Sequence, residues 1–278
     1  MTEPRSDLPA SGGLPAANLR GHGAGTRRPD GAATGPESVY RRLQRHLDRM
    51  PIAYPATESG VELSVLEHLF SPAEAELALC LSALPEPVAR IRARAGRAGL
   101  EVEGIGTTLD RLARRGAILR TGGAEPRYSK AMLAIGMFEL QVDHLTRELA
   151  ADVTRYLDEG FKDAFHTTKT SQMRTIPINE EVIPERGVGT YDQVRELVRR
   201  ADGPFAVLNC VCRQAADLLD SPCRQTEIRE TCLLLGDAAR TMIGNGTGRE
   251  LTRDGLLELV ERADREGMVL QPQNTQEP

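Results

Sequence analysis

Residues 204–232 read PFAVLNCVCRQAADLLDSPCRQTEIRETC, and the rest of the chain is best read outward from them. Pro204 to Val211 is a short apolar run behind a proline, which predicts a buried strand. The strand runs into Cys210 and Cys212, and Cys223 and Cys232 follow, so four of the chain's five cysteines lie between positions 210 and 232. Residues two apart on an extended segment point to the same side, so Cys210 and Cys212 are expected to reach one centre. Cys223 follows Ser221-Pro222 in a loop. Cys232 is expected on a helix running through SPCRQTEIRETCLLLGDAARTMI, folded back over the strand end. Two ligands from a strand end, one from a loop and one from a helix can then converge.

Four thiolates brought together are a natural cage for an iron–sulfur cluster or a zinc ion. The spacing is Cys-x-Cys, ten residues, Cys, eight residues, Cys. It has neither the Cys-x2-Cys knuckles of a zinc finger nor the run of a bacterial ferredoxin. The residues therefore leave three readings open: an iron–sulfur cluster, structural zinc, or thiols without metal. Arg213, Arg224, Arg229 and Arg240 flank the window and would offset the charge of a four-thiolate site. Leu218, Leu219 and Leu233 to Leu235 are expected to keep water from it.

Upstream, residues 1–36 carry few large apolar side chains and many Gly and Pro, so they are read as disordered. Residues 37–130 are read as a winged-helix-like domain that opens with a series of short helices. Ser71-Pro72-Ala73-Glu74 has the form of a capping box with proline at the first helical position. Cys80 lies beside an apolar face as a buried core thiol. The segments PVARIRARAGRAG and VEGIGTTLDRLARRG read as two helices, followed by two β-favouring runs around Thr121-Gly122-Gly123. Helix, turn, helix, hairpin is the order of a winged helix-turn-helix, with Leu109, Leu112 and Ala113 facing its core and Thr107, Thr108, Arg111 and Arg115 more exposed. Residues 87–130 contain ten Lys/Arg and four acids, +6 locally against −11 for the remainder. That makes DNA a candidate partner for the region, although winged helices also serve as protein contacts.

Residues 131–165 read as one long or slightly broken helix inside a 131–170 linker, with Met137, Leu140, Leu145, Leu149 and Val153 as its stripe. It could join two modules or pair with a second copy as a homodimer. His144 and His166 lack companions at ligand spacing. Residues 171–271 form the expected four-cysteine domain, and 272–278 a flexible tail. The fold class is mainly α with small β elements.

No apolar run approaches the roughly 18 residues that span a bilayer, and the N-terminus lacks the apolar stretch of a secretory signal. A cytoplasmic setting follows, where clustered thiols serve metals more often than disulfides. The net charge of −5 argues against a general nucleic-acid coat. No HExxH, GxSxG or phosphate-cradling loop occurs, so no catalytic residue is assigned. Gly244-Asn245-Gly246-Thr247-Gly248 reads as a helix cap and turn.

The run MRTIPINEEVIPERGVGTYDQVRELVRRADGPFAVLNCVCR, then PCRQTEIRETCLLLGDAARTMIGNGTGRELTRDGLLELVERADREGMVLQ, resembles a family of 4Fe–4S ferredoxin-type proteins of bacteria and archaea. The likeness covers roughly residues 61–271, most specifically 172–271. It implies a winged-helix-like N-terminal region, a 4Fe–4S cluster on Cys210, Cys212, Cys223 and Cys232, and an electron-transfer-like role with a redox partner protein. Members commonly continue into further cysteine motifs, whereas this sequence ends in QPQNTQEP; it is either a partial chain or a branch without those clusters. Three functions stay in view. They are an iron–sulfur electron carrier or redox sensor, a cluster-dependent winged-helix regulator, and a zinc-stabilised interaction protein.

Overall fold

A computed structural model of the chain describes residues 37–101, 103–122, 124–167 and 191–271. The readings made for 1–36, for most of the linker end and the extended stretch at 168–190, and for 272–278 lie outside these residues. The described chain is mainly helical with two small three-stranded sheets.

Helix α1 (Val39–Leu47) starts at Ser38, whose hydroxyl accepts from the Tyr40 amide, and buries Leu43 and Leu47. Helix α2 (Val61–Leu69) follows. Helix α3 (Pro72–Ala78) opens with the capping box read from its sequence: Ser71 Oγ accepts from the Glu74 amide, and Glu74 Oε2 accepts from the Ser71 amide at 2.9 Å. Strand β1 (Glu86–Pro87) leads into α4 (Val88–Arg97), which buries Ile91 and Ala95, one helical turn apart. Helix α5 (Ile105–Arg114) buries Leu109, Leu112 and Ala113, as its spacing predicts. Strands β2 (Ile118–Thr121) and β3 (Arg127–Lys130) form an antiparallel hairpin, and β1 pairs with β3 to give the order β1-β3-β2.

Residues 131–165 are more broken than the one long or slightly broken helix expected. They form a π-helical turn (Leu133–Met137), a 3-10 turn (Glu139–Gln141), α6 (Arg147–Tyr156), a second π turn (Leu157–Phe161) and α7 (Lys162–His166). Side chains rewire the backbone at the break. Glu139 Oε2 accepts from the Gly136 amide at 2.6 Å, and Gln141 Nε2 donates to the Met137 carbonyl at 3.1 Å. Asp143 then turns left-handed at φ 64°, and Thr146 caps α6. The stripe is covered within this chain, because Met137, Leu149 and Val153 are buried in the main core, where α6 packs on α2.

Helix α8 (Tyr191–Arg200) precedes strand β4 (Phe205–Asn209), helix α9 (Val211–Leu218), strand β5 (Glu230–Leu235), helix α10 (Gly236–Gly244), strand β6 (Arg249–Leu251) and helix α11 (Arg253–Arg265). Strand β4 is central in an antiparallel sheet ordered β5-β4-β6. Its residues Phe205 to Leu208 are all buried because both faces are covered. Leu208 joins a core that runs from Leu43 to Ala215, whereas Phe205 packs with Val198 and Leu256 in a smaller cluster. The glycine-rich stretch after α10 is a helix end and turn: the Thr247 and Gly248 amides both donate to the Met242 carbonyl, and Gly246 sits at φ 76°. Among the described residues no helix is long and apolar enough to cross a membrane.

Candidate functional site

The cysteine elements differ from expectation in two places. Strand β4 ends at Asn209, and Cys210 begins α9, its carbonyl accepting from the amides of Arg213 (3.1 Å) and Gln214 (3.0 Å). Cys212 therefore lies in the first turn of a helix rather than on extended chain. Cys232 lies on strand β5, not on a helix. Its segment ETCLLL is drawn into the sheet because β4 offers a fully buried partner edge, and α10 starts only at Gly236.

The sheet register explains how the cysteines meet. Cys232 lies opposite Leu208, while Asn209 pairs with Glu230, so a bulge leaves Thr231 unpaired. Cys210 is two residues beyond Leu208, which sets it diagonal to Cys232 across the strand pair. The Cys210 amide extends the pairing by donating to the Arg229 carbonyl at 2.7 Å. The Cys210 pKa lies far below the usual thiol range, lowered first by the neighbouring Cys212 and Cys232 and then by the amides of Arg213 and Cys212, against the opposing effect of burial. The Cys210 side chain makes no cap hydrogen bond to α9. Cys212 and Cys232 are raised, first by the neighbouring Cys210, then by burial and by the charges of Cys210 and Glu139. Cys212 is exposed.

Cys223 stands apart, in the loop between α9 and β5. Its sulfur accepts from Arg213 Nη1 at 3.4 Å. Its pKa is lowered by the amides of Thr226 and Gln225 and, less strongly, by the charges of Arg213 and Arg229. Arg229 is itself held by Asp217 through bonds of 2.6 and 2.9 Å. The other two flanking arginines do not reach the site: Arg240 pairs with Asp237, and Arg224 is exposed. The leucine shield is partial, since Leu218, Leu219, Leu233 and Leu234 are half-buried and Leu235 is 39% exposed.

Glu139 is the residue that the spacing of the cysteines could not reveal. It lies far upstream, yet its carboxylate is close enough to exchange charge effects with Cys210, Cys212 and Cys232. Burial first, and then the charge of Cys210, raise its pKa to about 7 against the pull of the Gly136 amide. Asp143, four residues on, accepts from Asn209 Nδ2 at 2.8 Å and Gln214 Nε2 at 2.5 Å, and its amide donates to Gln214 Oε1 at 3.0 Å. These bonds clamp the 139–143 turn to the start of α9. No group of three or more His, Cys, Asp or Glu among the described residues is spaced to hold a metal ion. Binding a thiophilic metal here would require the thiols to lose their protons and the side chains to rearrange.

A second candidate surface is the basic region. Arg111 and Arg115 are both tied to the nearly buried Glu74, at 3.1 and 2.9 Å, Arg120 to Asp110 at 3.2 Å, and Arg94 to Glu86. Lys130 is buried and donates to the His46 carbonyl. Arg90, Arg92, Arg97, Arg114 and Arg127 are exposed with no acid within 4.0 Å among the described residues. A cleft of about 690 Å³ beside α5 is lined by Arg111, Arg114, Arg115, His68 and His144, among others. His144 and His166 are exposed, and Cys80 is a buried thiol whose pKa burial raises.

Comparison with protein-family models, curated proteins and solved structures finds no match for this chain.

Proposed function

We propose that the chain binds an iron–sulfur cluster at Cys210, Cys212 and Cys232, with Cys223 the further ligand expected from the sequence, and serves electron transfer or redox sensing for a partner protein in the cytoplasm. The observation that supports this reading is the sheet register, which sets Cys232 opposite Leu208, two residues before Cys210 at the start of α9, with Cys212 in the first turn of that helix. When bound, such a cluster supplies one-electron chemistry. The chain's own part is to present sulfurs, to place the amides of α9 beside them, and to set Arg213 and Arg229 near the loop cysteine.

The test is anaerobic purification of the full chain, with optical spectra and iron, sulfide and zinc analysis. A brown protein absorbing near 400 nm, with iron and sulfide, is the expected result. A colourless protein with stoichiometric zinc would replace the cluster by structural zinc. Protein with neither metal that forms a Cys210–Cys212 or Cys210–Cys232 disulfide under mild oxidant would leave a thiol redox site.

We further propose that residues 37–130 are a winged-helix-like domain, with the winged helix-turn-helix order in its second half. The order helix, strand, helix, helix, hairpin and the strand order β1-β3-β2 support it. A DNA-binding role for this region is supported by the five exposed arginines without acidic partners. It requires affinity for duplex DNA that falls steeply with added salt. No binding at low salt, in oxidised and reduced protein, would remove it.

A further inference from the structure

We propose that the cleft beside α5 is a binding site for a small phosphorylated molecule, whose phosphoryl group is received by Arg111, Arg114 and Arg115. The inference is independent of the cysteine centre. It also goes beyond the DNA reading, whose other arginines, Arg90, Arg92, Arg97 and Arg127, lie outside the cleft.

The first observation is shape. The cleft holds about 690 Å³, inside the range of roughly 300–1,000 Å³ that small-molecule sites occupy. Thr107, Arg111, Arg114 and Arg115 recur at helical spacing on α5 and beyond its end, away from the buried Leu109 and Leu112, along about 12 Å of the helix axis. The end of α2 and the 141–144 turn line the rest. Two bonds tie these walls together. Arg115 Nη2 donates to the Leu69 carbonyl at 2.7 Å, and Gln141 Nε2 donates to the Arg115 carbonyl at 2.8 Å. A cross-tied concave surface suits a small ligand, whereas reading a major groove needs a helix that protrudes.

The second observation is how the arginines are held. Glu74 Oε1 accepts from Arg111 Nε and Nη2 at 3.3 and 3.1 Å, and Oε2 accepts from Arg115 Nη2 at 2.9 Å. Glu74 is nearly buried and is itself fixed by the Ser71 amide and hydroxyl. One inner carboxylate therefore positions two guanidinium groups that remain about half exposed. Arg111 Nη1 and Arg115 Nε and Nη1 make no bond among the described residues, and Arg114 is exposed with no acid within 4.0 Å. Guanidinium forks held in advance lose little freedom on binding, and their open N–H groups match phosphoryl oxygens. The one acid in the lining, Asp110, is already engaged by the Tyr128 hydroxyl at 2.6 Å and by Arg120 at 3.2 Å. Three guanidinium groups against the charge of Glu74 leave the cleft cationic, which favours an anion. Leu69 is the only apolar side chain in the lining, so an apolar ligand gains little there.

The experiment titrates the full chain, reduced and anaerobic, with inorganic pyrophosphate in a calorimeter at about 0.15 M salt, where exposed charges more than about 8 Å apart are screened. Saturable uptake at a single site is expected. Arg111→Gln and Arg114→Gln should each weaken it about tenfold or more, the loss of a charge-assisted hydrogen bond. Arg265→Gln, which removes an exposed arginine of α11, should bind as wild type does. Circular dichroism checks that each variant is folded. Arg111→Gln also frees Glu74, so Arg114→Gln, which breaks no ion pair, keeps the test decisive. No saturable uptake by the wild type overturns the proposal. Equal losses in Arg114→Gln and Arg265→Gln overturn it too, because general charge attraction would then explain the binding. A second arm repeats the titration with duplex DNA present. Unchanged pyrophosphate affinity supports a small-molecule site. Displacement by the duplex, with both affinities falling together in Arg114→Gln, would assign these arginines to the nucleic-acid backbone and refute the proposal.

Discussion

Replacing Glu74 by glutamine tests the best-defined electrostatic element of the fold. The Glu74 side chain is only 7% exposed and takes bonds from the Ser71 amide, the Ser71 hydroxyl, Arg111 and Arg115. Burial alone would raise its pKa, but the two Ser71 bonds and then the two arginines outweigh it and hold the group at about 2, below its ordinary 4.5. A folded-state pKa below the unfolded value means that the unfolded chain binds the proton more readily. The stabilisation is therefore complete above pH 4.5 and is lost as pH falls towards 2. At about 1.4 kcal/mol per pH unit, the full difference is about 3 kcal/mol. Both guanidinium groups are about half exposed, at 54% and 47%, so solvent screening argues for about 2–3 kcal/mol. Glu74→Gln resembles the protonated carboxyl in shape. Urea unfolding at pH 7, 5, 4 and 3 should show the variant weaker by about 2–3 kcal/mol at pH 7, with the gap closing towards pH 3. A gap that stays constant from pH 7 to pH 3 would refute the reasoning, because the loss would then come from packing and not from charge.

Three further outcomes follow from other parts of the structure. Cys212→Ala removes the thiol donor in the first turn of α9 and should abolish stable iron retention in the anaerobic protein, whereas undiminished iron would show that the inner ligand set is wrong. In reduced, metal-free protein at pH 7, alkylation followed by peptide mass spectrometry should modify Cys223 well before Cys80, because the former is a favoured thiolate in a loop and the latter a buried thiol raised by burial; equal rates would contradict both assignments. Gly116 sits at φ 71°, and a Cβ there would lie 2.5 Å from both Leu140 Cβ and the Leu140 carbonyl oxygen, so Gly116→Ala should cost about 3 kcal/mol in thermal or urea unfolding. A loss under about 1 kcal/mol would mean that the 140 turn yields easily.

Much of the fold was legible because it depends on local chemistry. The Ser71–Glu74 capping box and the Thr252 cap are one-turn devices, and both form as their residues require. The buried face of α5 shows in the spacing of Leu109, Leu112 and Ala113. The β2–β3 hairpin shows in two β-favouring runs about a glycine pair, and β4 in an apolar run behind Pro204. The cysteine window was legible as a cluster but not as a geometry. Leu233, Leu234 and Leu235 are consecutive, so they carry neither a helical nor a strand period. Only the partner β4, whose register sets Cys232 opposite Leu208, decides for strand. The strand itself ends where the amides of Arg213 and Gln214 turn to the Cys210 carbonyl, a choice that the alternation of side chains cannot foretell.

Residues 131–165 were harder for a different reason. An apolar stripe with alternating charges fits a solvated connecting helix, and nothing in the pattern says that Glu139 and Asp143 face protein. Here the neighbours determine the structure. On one side, the Leu140 backbone lies against Gly116, where no side chain could fit, and Gln141 Nε2 donates to the Arg115 carbonyl at 2.8 Å, fastening the turn to the end of α5. On the other side, Asp143 grips Asn209 and Gln214. The start of α9 is thus bonded through Gln214 to Asp143, and Gln141, two residues before it in the same turn, is bonded to the end of the helix that carries Arg111 and Arg114. Coupling between two sites needs one element that both of them touch, and the 136–144 turn is that element. The stretch read as a spacer between two modules is a shared wall of both, and the cysteine centre and the basic helix are built on one core.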